Sequence, residues 1–306
     1  MMFNLKLNKN QMKVNDLYFK YKKDFEEKGI GELSLRILIC KICNFDSMTE
    51  LELKRDSEIE VTKKDIKLIE KVLNGKPVQY AIKETDFYNM DFYVNKKVLI
   101  PRPETEELVN KLIKRINEKF LHYSEQINIY DLCCGSGNIA ISLDKLVGKD
   151  HLVYGYDNSY GALKVAKKNQ KKLGFAGFFV YKNVLKDFEY PTKINVLVSN
   201  PPYIENVNEI DDNVLDYEPK KALVAKPGTI FYEKILSNCS KSLQKPFILA
   251  FEIGYDQKER LNEIISSNYF YRENTKWVFE KDMEGKDRFL FIESLWNLLH
   301  LKKKNI

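Results

Sequence analysis

INVLVSNPPY, residues 194–203, joins an apolar run to an amide, two prolines and an aromatic ring. Two consecutive prolines lack backbone N–H donors and have a fixed φ, so the strand expected over residues 194–199 must stop there. A planar amide or aromatic amino nitrogen is a poor nucleophile because its lone pair is delocalised. Hydrogen bonds from its two N–H groups to fixed acceptors restore electron density to the nitrogen and aim the lone pair. The Asn200 side-chain oxygen and the Pro201 carbonyl are two such acceptors. Pro201 and Pro202 hold that carbonyl in place, and Tyr203 offers a flat ring against which a planar group packs. The chemistry that fits is methyl transfer to an NH2 group from a good leaving group, which needs no strong general base.

A second constellation lies upstream. Residues Gly135-Ser136-Gly137-Asn138-Ile139-Ala140 fit G-x-G-x-x-A, and Asp157 falls twenty residues beyond Gly137 at the end of the next apolar run. That geometry serves two cofactor classes. A nicotinamide dinucleotide would set its pyrophosphate on the helix N-terminus. S-adenosylmethionine would set its methionine end beside the loop and its ribose hydroxyls on Asp157. Asp131, four residues before Gly135, makes the pattern D-x-x-x-G-x-G, and the loop follows a helical segment. Both features favour S-adenosylmethionine, and Asn200–Tyr203 settles the choice. Acceptors compatible with the motif are exocyclic amines of nucleic-acid bases and glutamine side-chain amides.

The elements that must carry these residues follow from periodicity. Beyond residue 125, INIYDL, HLVYGYD, FFVYKNV, INVLVSN and PFILAFEIG read as strands. NIAISLDKL, YGALKVAKKNQKKLG and FYEKILSNCSKSL read as helices between them, the second closed by Gly174. Such alternation predicts an α/β, Rossmann-like, doubly wound and mostly parallel sheet with helices on both faces. Ligands in such sheets bind beyond the carboxyl ends of the strands, where both motifs fall. Residues 1–76 read as a small helical bundle, with Val14, Leu17, Tyr18, Tyr21 and Phe25 on one stripe and Leu35, Leu38, Ile39 and Ile42 on another. A third stripe is Ile66, Ile69 and Leu73, opened by a Thr62/Asp65 capping box and ended by Gly75. Residues 77–100 read as a hairpin linker, and a helix follows the prolines at 101–103. The catalytic domain is expected over 101–306.

Composition narrows the class. A chain of 306 residues with 44% hydrophobic and 31% charged side chains is an ordinary globular protein of about two domains. No apolar run reaches membrane-helix length, and the start lacks the apolar stretch of a signal peptide, so a cytoplasmic location is expected. The net charge is +6, but only seven of the 50 basic residues are Arg and the lysines are scattered among acids. That pattern is a solvated surface rather than a clustered phosphate-binding footprint. The tail LKKKNI is read as a solubilising end. Cys40 and Cys43 form C-x-x-C inside a helical segment, and with three scattered His they are read as small apolar residues, not metal ligands.

Beyond these readings, the chain resembles the HemK/PrmC family of peptide chain release factor glutamine methyltransferases. The motifs that carry the resemblance are GKPVQY (75–80), LIPRPETEELV (99–109), DLCCGSGNIAISL, SNPPYI, YEPKKAL (217–223), FEIGYDQ (251–257) and KDMEGKDR (281–288), in order across nearly the whole chain. The pair PRPETE and NPPY is specific to that family. The resemblance implies methyl transfer from S-adenosylmethionine to the glutamine amide in the GGQ loop of class-one release factors, modulating translation termination. It also implies docking of the factor on the N-terminal helices, with no membrane or nucleic-acid partner. Asp131 and Cys133, Cys134, Gly135, Ser136 and Gly137 are then expected at the methionine end and Asp157 at the ribose. Asn183 and Val184 are expected near the adenine, Asn200, Pro201, Pro202 and Tyr203 around the glutamine, and Asn200 also in contact with the cofactor. Departures from the pattern are Cys133-Cys134 where small residues are common, Lys182-Asn183 where Gly-Asp is common, and Val224–Gly228 in place of a Gly-rich stretch.

Overall fold

The computed structural model describes residues 10–295, so the segment MMFNLKLNK and the tail LKKKNI lie outside the described residues. The chain divides between Glu84 and Thr85 into two units. The first holds β1 (Asn10–Lys13), α1 (Val14–Glu27), α2 (Glu32–Cys43), α3 (Met48–Leu53), β2 (Glu58–Val61), α4 (Lys63–Leu73) and α5 (Val78–Ile82). The expected stripes supply its core, Val14, Leu17 and Phe25 on α1, Leu35, Leu38 and Ile39 on α2, and Ile69 on α4, with Ile66 and Leu73 half-buried against it and Val72, outside the expected stripe, also buried. Thr62 and Asp65 make the capping box, the Thr62 N–H donating to Asp65 Oδ2 at 2.9 Å and the Asp65 N–H to Thr62 Oγ1 at 3.3 Å. The N–H groups of Gly75 and Lys76 close α4 on the carbonyls of Val72 and Lys71. Cys40 and Cys43 lie on α2 within this core, and burial pushes the Cys43 thiol up to about 11.

Two expectations need correction. The unit is not wholly helical, because β1 pairs antiparallel with β2, Met12 opposite Ile59. Strands of four residues are too short for a period of two to register in sequence. The linker over 77–100 is also divided. Residues 78–82 are helical in α5 and belong to the first unit. The hairpin proper is β3 (Glu84–Phe87) and β4 (Met90–Tyr93), joined by Tyr88-Asn89 with φ of 55° and 54°. Positive φ at both central residues is what a two-residue type I′ turn requires.

The second unit continues with α6 (Pro103–Lys119), β5 (Ile127–Leu132), α7 (Asn138–Leu146), β6 (His151–Asp157), α8 (Tyr160–Leu173), β7 (Phe178–Tyr181) and β8 (Ile194–Ser199). It ends with α9 (Asp212–Tyr217), α10 (Ile230–Cys239), β9 (Leu243–Glu252), α11 (Lys258–Ser267), α12 (Tyr269–Asn274), β10 (Thr275–Lys281) and β11 (Asp287–Ser294). Seven strands form one sheet in the order β10-β11-β9-β8-β5-β6-β7. The five from β9 to β7 are mutually parallel, and β11 runs antiparallel to both of its neighbours.

Alternation along the strands sends side chains to two cores. Ile129, Val196 and Ile248 pack with Leu108 and Leu112 of α6, Ile141 of α7 and Ala166 of α8. Tyr130, Leu197 and Leu249 face the opposite way, against Ile235 of α10, Leu261 of α11 and Tyr271 of α12. This is the doubly wound sheet expected, extended by an antiparallel pair beyond the last strand read from sequence. The order reverses between β5 and β8, and their carboxyl ends face the crevice this creates. Among the described residues, no helix is long and apolar enough to cross a membrane.

Candidate active site

Parallel pairing sets Leu132 of β5 opposite Ser199 of β8. The two strands therefore end level, and Cys133 and Asn200 emerge side by side. They border a cavity of about 290 Å3, also lined by Cys134, Gly135, Ser136, Asp157, Val184 and Pro202. Asp131, Gly137, Asn183, Pro201 and Tyr203 are not among its lining residues.

The glycine loop is shaped by its own backbone. Cys133 has φ of 61°, a left-handed conformation costly for any residue with a Cβ. The Cys134 N–H donates to the Tyr156 carbonyl at 3.0 Å, and the Gly137 N–H to the Cys134 carbonyl at 2.7 Å. Gly137, at the start of α7, has φ of 81°, and a Cβ there would lie 2.5 Å from the Phe179 ring. Its role, behind the cavity wall, is to let the loop turn and pack.

Asp157 ties the loop to β6. Its Oδ2 accepts the Gly135 N–H at 2.9 Å and its Oδ1 the Ser159 N–H at 2.8 Å, while burial raises its pKa against these bonds. A carboxylate oxygen has two lone pairs, so each retains capacity for a ligand hydroxyl. Asp131 lies wholly buried behind the loop. Its Oδ2 accepts the Ala140 N–H at 3.0 Å in the first turn of α7, its Oδ1 has no hydrogen-bond partner, and burial holds it well above the usual carboxylate range. Asn183 turns its Oδ1 to the Leu185 N–H at 3.0 Å, which caps its own turn, whereas its neighbours Lys182 and Val184 reach the cavity.

The opposite end is built from residues distant in sequence. Asn200 Nδ2 donates to Thr105 Oγ1 at 3.1 Å, and Thr105 Oγ1 donates to Glu252 Oε2 at 2.7 Å. The Tyr203 hydroxyl donates to Glu252 Oε1 at 3.4 Å. Burial pushes the Glu252 carboxyl up to about 7. Gln257 fixes the motif's backbone, its Nε2 donating to the Tyr203 carbonyl at 3.0 Å. The buried Glu218 accepts from the Ile100 N–H at 3.0 Å and from the Arg102 guanidinium, fastening the segment before α6 along the cavity wall.

Thr105, Glu218 and Glu252 sit inside motifs visible in the sequence, yet no spacing rule singles them out. The available signal was a lone acid closing an apolar strand (Glu252) and a hydroxyl in the first turn after Pro103.

The residues present fit S-adenosylmethionine. Asp157 offers paired oxygens for two hydroxyls beside the glycine loop, while Val184 and Phe231 supply apolar wall. Residues 108–220 match the family model described as the methyltransferase small domain. The chain is 36% identical over 273 residues to a release factor glutamine methyltransferase of Bacillus cereus, a match spanning 88% of this chain and 94% of that one. A second release factor glutamine methyltransferase, from Flavobacterium psychrophilum, is also 36% identical, over 87% of this chain and 92% of its own. Among solved structures, the hMettl16 catalytic domain shares the fold, with a TM-score of 0.50 at 14% identity over 74% of this chain and 82% of that one. Identity at this level across both units, with the glycine loop and Asn200 bordering one cavity, places the chain in the release factor glutamine methyltransferase family.

Proposed function

We propose that this enzyme methylates the side-chain amide of the glutamine in the GGQ loop of class-one release factors, with Asn200 and Pro201 as the groups that hold the amide. The observation that carries this reading is that Asn200 borders the same cavity as Asp157 and the glycine loop. Bound S-adenosylmethionine supplies an electrophilic methyl group, and the chain's own residues supply position. Asp157 holds the ribose hydroxyls, and residues 133–137 bend around the methionine end. Asn200 Oδ1 accepts one N–H of the substrate amide and the Pro201 carbonyl accepts the other, which localises the lone pair on nitrogen and aims it along the axis of transfer. Tyr203 and the two prolines keep these acceptors from moving as the bond forms.

Lys96, Lys97, Lys182, Lys220 and Lys221 also border the cavity, where Asp157 is the acid among the lining side chains. A basic rim favours a second reading, an exocyclic amine of DNA or RNA, which the same experiment addresses. Purified protein is incubated with methyl-labelled S-adenosylmethionine and either a release factor or unmodified DNA and RNA, and products are read by mass spectrometry. One methyl on the GGQ glutamine is expected, and label confined to nucleic acid would replace the protein reading with the second. Asn200→Ala is expected to lower transfer by about 100-fold or more while cofactor affinity stays within about threefold. Full activity in that variant would sink its acceptor role.

A further inference from the structure

The Asn200 amide has two orientations related by a half-turn of its plane, and only one presents an oxygen to an incoming NH2 group. The choice is made by two residues behind it. Thr105 Oγ1 lies 3.1 Å from Asn200 Nδ2 and 2.7 Å from Glu252 Oε2. A hydroxyl carries one hydrogen. When Glu252 is a carboxylate it only accepts, so the Thr105 hydrogen must point to it. The lone pairs of Thr105 are then left for Asn200, and only the NH2 half of that amide can bond to them. Asn200 Oδ1 is thereby kept free for the substrate. If Glu252 carries a proton on Oε2, that oxygen donates to Thr105, the Thr105 hydrogen is released to the Asn200 oxygen, and Asn200 turns its NH2 toward the substrate's own NH2.

We infer that Thr105 and Glu252 are positioning residues of this enzyme, the ionised Glu252 acting through the Thr105 hydroxyl to hold the Asn200 amide with its oxygen toward the acceptor. The inference rests on the acceptor role assigned to Asn200 above. The groups around Glu252 are consistent with a charge that is costly but retained. Tyr203 of the Asn-Pro-Pro-Tyr turn donates to its second oxygen at 3.4 Å, and Tyr232 of α10 donates to its backbone carbonyl at 2.9 Å. Glu104 of α6 opposes its ionisation and Arg288 of β11 favours it, Arg288 itself being held by Asp282 at 3.1 Å. Burial outweighs the favourable contacts and raises its titration to about 7, so both proton orders are accessible near neutral pH.

The test compares wild type, Asn200→Ala, Thr105→Val and Thr105→Ser, reading kcat with a release factor at saturating cofactor and the S-adenosylmethionine Kd by calorimetry. Thr105→Val keeps the shape and loses the relay, so its kcat is expected to fall about tenfold or more with Kd within about threefold of wild type. Thr105→Ser, which restores the hydroxyl, is expected to recover most of that loss. The wild-type kcat should also decline as pH falls through about 7, a limb that Thr105→Val lacks. Wild-type kcat in Thr105→Val, with Asn200→Ala inactive, would overturn the positioning role alone. An active Asn200→Ala would overturn the acceptor reading beneath it. Should Thr105→Val fail to fold, a wild-type kcat that stays flat from about pH 8 to about pH 5.5 overturns the role of the ionised Glu252.

Discussion

Glu252 is useful as an anion and costly as one. Its carboxyl titrates at about 7 in the folded protein against an ordinary value of 4.5. Between those values the native state holds a proton that the unfolded chain has released. Stability from this group therefore falls as pH rises across the window, by an amount on the order of 3 kcal/mol. Glu252→Gln should remove that decline, so the variant gains urea resistance relative to wild type at about pH 8 compared with about pH 5. An unchanged difference between the two proteins at both pH values would contradict it. Residues of this kind are also where sequence reading stops. Asn200 and Asp157 were legible because each sits in a local pattern, a proline turn or a glycine spacing. Thr105 and Glu252 are 147 residues apart and become partners only when α6 meets the end of β9. Asn183, expected at the cofactor, accepts the Leu185 N–H through its Oδ1, a local turn contact that sequence spacing does not reveal.

Elements place these residues by register and by loop shape. Leu132 opposite Ser199 is the pairing that levels β5 with β8, and a slip of one residue would turn every core side chain of β8 to the wrong face. The loop between β5 and α7 is equally constrained at Gly137, where φ of 81° and the nearby Phe179 ring leave no space for a methyl group. Gly137→Ala is expected to destabilise the protein by roughly 2 kcal/mol or more, through left-handed strain and displacement of Phe179. It should also weaken cofactor binding, because the loop and α7 share this junction. Chemical denaturation with a calorimetric titration checks both, and an unchanged midpoint would contradict the packing account. The long strands and helices of this unit were readable from periodicity. β1, β2 and the split of residues 77–100 between α5 and a hairpin were not, since four or five residues carry too little pattern to separate helix from strand.

At the scale of the molecule, the break at Glu84 separates a helical unit with its own core from a sheet unit that contains every cavity-lining residue named above. If the helical unit docks the release factor, a chain beginning at Glu84 should bind S-adenosylmethionine within about threefold of the full chain. Its kcat/KM for the factor should fall by about tenfold or more, chiefly through KM, and an unchanged KM would assign docking to the sheet unit instead. The order of the sheet carries one more consequence. β11 lies between β9 and β10 and sets Phe289 opposite Glu252, and Arg288 beside it donates to the Ile253 carbonyl at 3.3 Å. During synthesis, the glycine loop and the Asn-Pro-Pro-Tyr turn leave the ribosome about eighty or more residues before β11 (Asp287–Ser294) begins to, at a pace of roughly 5–20 residues per second. For several seconds the nascent enzyme carries both motifs while the wall behind Glu252 stays open to water. Pairing of β11 with β9, which sets Phe289 opposite Glu252, is therefore expected to be a late step in closing this end of the sheet.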